Sequence, residues 1–487
     1  MPPPHFPLTL YNTLSRSKQE FVPLHVGKVG LYACGPTVYH FMHIGNFRAY
    51  IAWDLLRRVL ERQKYKVTHV MNITDVGHLV SDDDMGEDKM EKAARGEKKS
   101  PPAIAAFYTQ IFLSDMEKLR LLPPHFLPKA TDHIPEMITL ITRLEKKGYT
   151  YTTPQAVYFN VQKFPGYGKL SRQSLSELQA VRADVTRDPD KKHPADFRLW
   201  QLNQPSHAMQ WDSPWGKGYP GWHIECSAMS MKYLGETFDI HTGGMDHIPI
   251  HHTNEIAQSE AATGKKYVHY WLHNAFIQID KSKMAKSKKN FFTISDLEKK
   301  GFDALDYRYL LLTTHYRSEL NFTWDSLEAA KTARSKWNGF IRRLRKYANK
   351  ISVHPIKKII SETWETFDAF LSDDLNTPQA VASLSDFQRL ANTWMEKMEI
   401  SKSDARLILD FLKKADQMLG IFDFKQEEIP IPGYVLALAK KRQEARETKD
   451  WKRADSLRKE IEKEGYVVSD TKDGFELVPS INPNPQQ

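Results

Sequence analysis

The sequence predicts an α/β protein in which a Rossmann-like domain, with a parallel sheet and an insertion, is followed by an α-helical bundle and a small C-terminal α+β domain. An apolar segment at 29–34, a helical pattern at 46–63 and a second apolar segment at 67–73 form a β–loop–α–β unit. Such a unit joins neighbouring strands of a parallel sheet. Residues 326–424 are almost continuously helical in pattern, and a proline-rich linker at 429–433 follows them.

The first β–loop–α–β unit places a ligand site near residue 34. Its first strand ends at Gly35-Pro36, a pair that stops a strand. The helix after it is recognised by the period of its apolar residues, which are Phe47, Tyr50, Ile51, Leu55, Val59 and Leu60. Because ligands bind at the carboxyl ends of parallel strands, we expect a ligand site directly after Cys34.

A less regular stretch divides the sheet-forming part of the chain, and strand-like patterns return at 238–241 and 276–280. We therefore expect the Rossmann-like domain to be split between residues 1–120 and 204–280, with a connective insertion at 121–203. The remaining predicted parts are a loop region at 281–325, the helical bundle at 326–428 and the C-terminal domain at 429–487, which contains helices at 434–447 and 451–463 and a hairpin around Asp473-Gly474.

Composition favours a soluble chain with a polyanionic partner. The formal net charge is +9, which suits nucleic acid, although an excess of surface lysine would give the same charge. No apolar run reaches the length of a membrane span, and the N-terminus lacks the basic-then-apolar pattern of a signal peptide. Two cysteines cannot form a disulfide framework. We expect a cytoplasmic protein with no membrane partner.

The segment His43-Ile44-Gly45-Asn46 lies where the first strand's loop enters its helix. A glycine there lets a ligand approach the backbone, and the helix N-terminus offers N–H groups to a phosphate. His43 and Asn46 could donate hydrogen bonds to a triphosphate during nucleotidyl transfer. The alternative is a capped helix with an incidental histidine.

A second candidate phosphate-binding segment is the lysine-rich stretch 281–289, directly after the predicted strand at 276–280. Several ammonium groups on one short loop repel one another unless an anion gathers them. A nucleoside triphosphate, or the pyrophosphate that leaves it, would do so. The alternative is an ordinary solvated basic loop.

The two cysteines point to a metal site. Cys34 ends the first strand, Cys226 lies in Trp222-His223-Ile224-Glu225-Cys226, and the stretch 251–255 offers imidazole and carboxylate at helical spacing. Two thiolates, one histidine and one glutamate would fill a tetrahedral zinc site. His251 and Glu255 are four residues apart and His252 and Glu255 three, so both histidines could face the glutamate. Buried thiols without a metal are the alternative.

Together the two phosphate-binding segments resemble the HIGH and KMSKS motifs of class I aminoacyl-tRNA synthetases. They correspond to residues 43–46 and 283–287, in the right order on an α/β framework. The chain departs twice from these motifs, since Asn46 replaces the last histidine and Ala285 the first serine. Asn46 can still bind a phosphate but cannot carry a proton, so we expect activity to survive.

The resemblance narrows to the cysteinyl-tRNA synthetase family and extends over nearly the whole chain. It rests on Tyr32-Ala33-Cys34-Gly35-Pro36-Thr37-Val38-Tyr39, Asn72-Ile73-Thr74-Asp75, Leu170-Ser171-Arg172-Gln173, Pro220-Gly221-Trp222-His223-Ile224-Glu225-Cys226-Ser227, Asn254-Glu255-Ile256-Ala257-Gln258-Ser259, His315-Tyr316-Arg317-Ser318, Asp374-Leu375-Asn376-Thr377-Pro378 and Lys449-Asp450-Trp451.

This resemblance implies a set of site residues. The implied zinc ligands, for one Zn²⁺ per chain, are Cys34, Cys226, His251 and Glu255. The implied catalytic residues, which would hold the triphosphate and stabilise the transition state, are His43, Asn46, Lys283 and Lys286, and ATP would bind at His43, Gly45, Asn46 and Lys286. The implied cysteine pocket is formed by Thr74, Trp222, His223 and Asp246.

The resemblance also implies the reaction and its partners. L-cysteine and ATP, accompanied by Mg²⁺, would give cysteinyl-adenylate, and the cysteinyl group would pass to the terminal adenosine of tRNA(Cys) on a monomeric enzyme. Zinc binds thiolate far better than hydroxyl and could therefore separate cysteine from serine. A purely structural metal is the alternative, with a fourth protein ligand and no open position. Substrate thiol could also be a fifth ligand.

Two other functions are compatible with parts of this pattern. A cysteine:amino-sugar ligase of mycothiol-type synthesis shares the catalytic framework but lacks a tRNA-reading C-terminus. Here the C-terminal segment is basic and contains Trp451, which suits an RNA backbone and a stacked base, although acidic residues are interleaved. A non-catalytic RNA-binding paralogue would need broken phosphate or metal motifs, and these are intact.

Overall fold

The computed structural model describes residues 6–76, 88–177, 188–204, 207–279, 282–283, 291–424, 431–471 and 474–479. The strands are β1 (Thr9–Asn12), β2 (Ser17–Glu20), β3 (Lys28–Ala33), β4 (Lys66–Met71), β5 (Thr150–Thr152), β6 (Ala156–Phe159), β7 (Phe197–Gln201), β8 (Tyr219–Pro220), β9 (Phe238–Gly244), β10 (Val268–Asn274), β11 (Ile277–Ile279), β12 (Ser282–Lys283), β13 (Leu320–Phe322), β14 (Tyr466–Thr471) and β15 (Gly474–Pro479).

The helices are α1 (Ile44–Arg62), α2 (Lys89–Glu97), α3 (Pro101–Lys118), α4 (Ile134–Lys146), α5 (Trp222–Leu234), α6 (His251–Thr263), α7 (Ile294–Lys299), α8 (Ala304–Leu312), α9 (Trp324–Lys346), α10 (Ile356–Ser372), α11 (Thr377–Glu396), α12 (Lys402–Leu419), α13 (Gly433–Glu447) and α14 (Trp451–Lys463). The predicted α/β fold class, with a helical C-terminal region, is confirmed.

A parallel sheet with the strand order β10–β9–β3–β4 positions the site. Helix α1 carries the chain from β3 to β4, whereas β9 lies on the other side of β3. The strand order therefore reverses between β3 and β9. Open α/β sheets bind ligands at the carboxyl ends of the two strands where such a reversal occurs. Ala33 is opposite Thr242, so the residues that follow the two strands are neighbours.

Helix α1 forms because its apolar residues repeat at helical spacing and its first turn is capped. Phe47, Ile51 and Leu56 are buried against the sheet and the neighbouring helices. Polar residues of α1, including Arg48 and Asp54, are buried as well and bond to other segments. The helix is therefore enclosed on several sides, and its N-terminus is held at the end of β3.

The insertion has a sheet of its own. Strands β5, β6, β7 and β8 form an antiparallel sheet that shares a core with α4 and with the second face of the parallel sheet. Strand β8 lies beyond residue 203, so this sheet extends past the predicted end of the insertion. The residues after β8 lead directly into α5, which carries Cys226.

The C-terminal half is largely helical. Helices α9 to α12 pack with α1 and α8 around a core that includes Trp337, Phe367 and Leu412. Helices α13 and α14 and the β14–β15 hairpin surround a separate small core. Within the described parts of the chain, the helices lack the combination of length and apolarity that a membrane span requires.

Candidate metal centre and nucleotide site

The structure brings Cys34, Cys226, His251 and Glu255 together. Their four ligand atoms all lie within 4.8 Å of one another. Cys34 follows β3, Cys226 lies on α5, and the other two lie on the first turns of α6. His251 Nε2 is 2.9 Å from Glu255 Oε1, so the four-residue spacing does place both side chains on one face of the helix.

Glu255 has one carboxylate oxygen bonded and one directed into this cluster. The residue is fully buried, where an unpaired carboxylate would be very costly. Its Oε2 lies 2.9 Å from His241 Nε2 and accepts a hydrogen bond of 3.2 Å from the Tyr267 hydroxyl. Its Oε1 has no hydrogen-bond partner of acceptable geometry. A buried anionic oxygen beside two sulfur atoms and an imidazole fits a metal ion such as zinc.

His251 likewise has one polar atom held by a neighbour and one facing the cluster. Its Nδ1 is 2.9 Å from Nδ1 of His223, which leaves Nε2 facing the cluster. The Trp222 ring covers it, with ring centroids 4.6 Å apart. Histidines that bind metals are commonly held through their second nitrogen by such a neighbour.

The ionisation of the cluster follows from burial and proximity. Burial raises the pKa of the Cys34 thiol well above its usual range, and a hydrogen bond from that thiol lowers the pKa of Cys226 to about 7. Burial alone would raise the pKa of Glu255, but His241 and His251 lower it to about 2. Burial would likewise lower the pKa of His251, but Glu255 raises it to about 10. Protons therefore balance the charge of Glu255 and Cys226, and a divalent cation could replace them.

A second donor set overlaps the first. Cys34, His241, His252 and Glu255 also present ligand atoms within 4.8 Å of one another. His252 Nε2 is 3.3 Å from Cys34 Sγ but 4.0 Å from Glu255 Oε1. The other nitrogen of His252 lies 2.7 Å from His273 Nε2. The sequence alone did not decide between His251 and His252 as the ligand. Both lie at the cluster, and His251 is nearer to Glu255 Oε1.

The sequence did not single out His241, Tyr267 or His273. Each lies on or just before a strand of the parallel sheet, and Trp271 pairs with His241 across β9 and β10. The signal available in the sequence was the density of histidines between residues 223 and 273. Density alone does not show which of them converge, because convergence depends on strand register.

The predicted pocket residues lie around the cluster. Thr74 is buried, donates a hydrogen bond of 2.8 Å to Glu225 and accepts one of 3.1 Å from Asn72. Trp222 and His223 begin α5 beside His251. Asp246 is exposed. Its carboxylate lies so close to the backbone of Gly244 that a side chain at position 244 would collide with it. The four residues thus come from three segments that meet at the carboxyl end of the sheet.

His43 and Asn46 cap α1 together. The Asn46 backbone N–H donates to His43 Nδ1, and the His43 backbone N–H donates to Asn46 Oδ1, each at 3.1 Å. Because Nδ1 accepts a hydrogen bond, the neutral ring carries its proton on Nε2. The predicted phosphate-binding segment therefore stands at a helix N-terminus with a donor on His43.

The lysine-rich segment is only partly described. Lys283 ends β12, where its backbone pairs with Gln278 of β11, and nothing is described of its side chain. Lys286 lies outside the described residues. The described chain resumes at Phe291, whose ring is 5.3 Å from that of His43. The residues that follow the lysine-rich segment therefore lie at the N-terminus of α1.

Comparisons with known proteins cover most of the chain. A family model described as the tRNA synthetases class I (C) catalytic domain matches residues 20–332. Models described as the DALR domain and the cysteinyl-tRNA ligase anticodon binding domain match residues 366–423 and 431–476. A cysteine–tRNA ligase of Treponema denticola is 45% identical, with 95% of this chain and 98% of the relative covered. One of Burkholderia lata is also 45% identical, with 97% of both chains covered.

Solved structures show the same fold at low sequence identity. A Mycobacterium tuberculosis methionyl-tRNA synthetase in complex with methionyl-adenylate gives a TM-score of 0.57 at 13% identity, covering 81% of this chain and 90% of that one. A putative arginyl-tRNA synthetase from Campylobacter jejuni gives a TM-score of 0.51 at 14% identity, covering 82% and 94%.

Proposed function

This chain belongs to the cysteine–tRNA ligase family of class I aminoacyl-tRNA synthetases, and from that premise we propose that it activates L-cysteine with ATP and charges tRNA(Cys). It is a ligase that aminoacylates tRNA. In the proposed first step, the cysteine carboxylate displaces pyrophosphate from ATP and forms cysteinyl-adenylate. In the second, the 3′-terminal adenosine of the tRNA accepts the cysteinyl group and AMP leaves.

The main support for cysteine as the substrate is the buried cluster of Cys34, Cys226, His251 and Glu255. Two sulfur donors, an imidazole and a carboxylate oxygen that faces them match the ligand preferences of Zn²⁺. When bound there, zinc would supply a Lewis acid that holds a thiolate sulfur strongly and a hydroxyl weakly, which separates cysteine from serine.

The protein side chains around the cluster would orient the substrate. Trp222 packs against His251 and would exclude water from one side of the pocket. The exposed carboxylate of Asp246 could pair with the substrate ammonium group. Thr74 is already held by Asn72 and Glu225, so it would offer a fixed wall with little rearrangement on binding.

At the other end of the site, the N-terminus of α1 would receive the triphosphate. Its backbone N–H groups and the Nε2 proton of His43 would stabilise charge that develops on the phosphates. Lys283 and Lys286 would add positive charge from the neighbouring segment, and Mg²⁺ would accompany ATP. Catalysis would then rest on positioning and electrostatics, with no covalent enzyme intermediate.

Two observations favour tRNA over an amino sugar as the acceptor. The match to an anticodon binding domain at 431–476 lies outside the catalytic region, and the relatives match over nearly their whole length. A non-catalytic paralogue is not favoured either, because the donor cluster and the capped N-terminus of α1 are both formed.

Replacing Cys226 by serine tests the metal and the substrate together. We expect Cys226→Ser to lose its bound zinc and cysteine-dependent ATP–pyrophosphate exchange, because a hydroxyl is a poor ligand where a thiolate is needed. Mass spectrometry measures the metal content. The ATP–pyrophosphate exchange assay is run once with cysteine and once with serine as the amino acid.

Met231→Leu on the same helix serves as the matched control. Met231 is not one of the candidate metal ligands, and leucine has nearly the same volume as methionine. It should keep both zinc and exchange. Wild-type protein that exchanges pyrophosphate with serine but not with cysteine would contradict the proposed function. Retention of zinc by Cys226→Ser would contradict the ligand set alone.

A further inference from the structure

A run of aromatic rings leads from the N-terminus of α1 to the protein surface. In order, the rings are those of His43, Phe291, His40, Tyr108 and Phe107, with Phe41 beside Tyr108. Successive centroids in this aromatic run are 5.3, 5.5, 5.9 and 5.1 Å apart. The residues come from the loop before α1, from α3 and from the segment after 290, so three parts of the chain supply one row of rings.

The outer end of the aromatic run is exposed. Phe41 and Phe107 have 40% and 43% of their surface accessible, whereas Tyr108 between them is 5% accessible. The Tyr108 hydroxyl donates a hydrogen bond to Glu97, which fixes its ring. The two phenyl rings stand edge-on to the Tyr108 ring, at interplanar angles of 85° for Phe41 and 76° for Phe107. They contribute little to the core and leave apolar surface at the outer end of the aromatic run.

Positive charge lies beside this surface. The Lys99 ammonium group is 4.2 Å from the centroid of the Phe107 ring and also pairs with Glu97, at 3.0 Å. It belongs to a segment, residues 89–99, that carries five basic and two acidic side chains. An apolar ring surface with cations at its edge matches the chemistry of a single-stranded nucleic acid, whose bases stack on aromatic rings and whose phosphates attract lysine.

We propose that Phe41 and Phe107, both packed against the buried Tyr108 ring, form a stacking platform for the single-stranded 3′ end of the tRNA. This inference rests on the proposed function, which requires the terminal ribose to arrive beside His43. The aromatic run connects that position to the surface, and the charge of residues 89–99 complements the acceptor backbone. The platform thereby guides the last nucleotides of the tRNA toward the adenylate.

Replacing Phe107 tests the platform. We expect Phe107→Ala to raise the Kd for full-length tRNA about tenfold, because one stacked base loses its partner. The Kd for a tRNA lacking its terminal single-stranded nucleotides should stay at the wild-type value for that truncated tRNA. Phe107→Tyr, which keeps the ring, should restore tight binding of the full-length tRNA. Phe41→Ala provides a second, independent variant.

Phe126→Ala is the matched control, because Phe126 is also 43% accessible but lies away from the aromatic run, against Tyr233. It should bind both tRNAs as the wild type does. Equal losses for full-length and truncated tRNA in Phe107→Ala, or no loss for either, would overturn the platform. Cysteine-dependent ATP–pyrophosphate exchange without tRNA tests the proposed function separately, since failure of exchange in the wild type would refute that function and not the platform.

Discussion

The pairing of His43 with Asn46 shows how one residue can serve both folding and binding. Asn46 Oδ1 accepts the His43 backbone N–H, and this contact, together with the reciprocal one, satisfies N–H groups that a helix N-terminus otherwise leaves unbonded. The remaining Nδ2 group of Asn46 is a donor that can face a phosphate. The sequence predicted a binding role for Asn46 without a proton-transfer role, and the capping contact is compatible with it.

Replacing Asn46 by aspartate separates the two roles. Aspartate keeps the capping oxygen and is favourable in the first turn of a helix, so Asn46→Asp should melt at or slightly above the wild-type temperature. It replaces the phosphate-facing amide by a negative charge, and we expect the KM for ATP in pyrophosphate exchange to rise about ten- to a hundredfold. An unchanged KM for ATP would show that Asn46 acts only as a cap.

The metal cluster shows which residues a sequence can and cannot identify. Cys34 and Cys226 stood out by their scarcity, and the spacing of His251 and Glu255 indicated a shared helical face. By contrast, His241 reaches Glu255 only because β9 pairs with β3 and β10 in a particular register. No local pattern encodes that register, so the contact of His241 with Glu255 became visible only in the structure.

At the scale of elements, Asp88 joins the start of α2 to the segment before β8. One carboxylate oxygen accepts the Met90 and Glu91 backbone N–H groups at 2.7 and 2.9 Å, and the other lies 3.2 Å from His207 Nε2. The His207 ring stacks on Tyr219 with centroids 4.1 Å apart. Tyr219 leads through β8 into α5, so this contact supports the chain just before Trp222.

The His207 contact should make stability depend on pH. Burial would lower the pKa of His207, but Asp88, and after it Glu91 at 3.9 Å, raise it above its ordinary value. A raised pKa means that the folded state binds the proton more tightly than the unfolded one. The stabilisation is therefore complete below about pH 6.5, the pKa in an unfolded chain, and is lost as the pH rises through the folded-state pKa.

Comparing His207→Gln with the wild type across pH tests this contact. We expect the wild type to have the higher melting temperature below about pH 6.5, and the difference to shrink steadily as the pH is raised. His25→Gln, at an exposed histidine, is the control and should show no such trend. A difference between wild type and His207→Gln that stays constant with pH would mean that His207 packs there as a neutral ring.

Some elements were predictable from local patterns and others were not. Helix α1 lies where the apolar period placed it, and β14 and β15 pair on either side of the predicted Asp473-Gly474 turn, of which Asp473 lies outside the described residues. Strand β8 has two residues, which is too short for any period to appear. It joins the antiparallel sheet through its pairing with β7, and that contact carries the sheet of the insertion past residue 203.

At the scale of the whole molecule, a buried ionic joint fastens the helical bundle to the sheet-forming part. Arg308 of α8 is fully buried and lies 2.6 Å from Asp54 of α1. The same guanidinium donates to the carbonyl oxygens of Leu119 and Leu419, at 2.8 and 2.6 Å. Gly420 has a positive φ of 65°, and a side chain there would press on the guanidinium at 3.1 Å.

A second contact between the bundle and α1 lies at the C-terminal end of the helix. Arg62 bonds to Asp368 of α10 at 2.8 Å, and its guanidinium lies 5.1 Å from the centroid of the Trp364 ring. The bundle thus holds α1 at its middle and at its C-terminus. Because α1 begins at the candidate triphosphate site, a rigid joint keeps His43 in place relative to the helices that follow the catalytic region.

Replacing Arg308 by methionine tests the joint. Burial would raise the pKa of Asp54, but Arg308 and Arg58 lower it below its ordinary value, so the buried carboxylate depends on these two cations. Removing Arg308 leaves the buried Asp54 carboxylate with Arg58 as its only cation within the described chain, and we expect Arg308→Met to lower the free energy of unfolding by about 3–5 kcal/mol. Arg389→Met is the control, since the Arg389–Asp386 pair is exposed and should contribute less than about 1 kcal/mol. Urea denaturation followed by tryptophan fluorescence measures both variants. If Arg308→Met unfolds at the same urea concentration as Arg389→Met, the joint does not stabilise the molecule, and the position of α1 must depend on its apolar contacts alone.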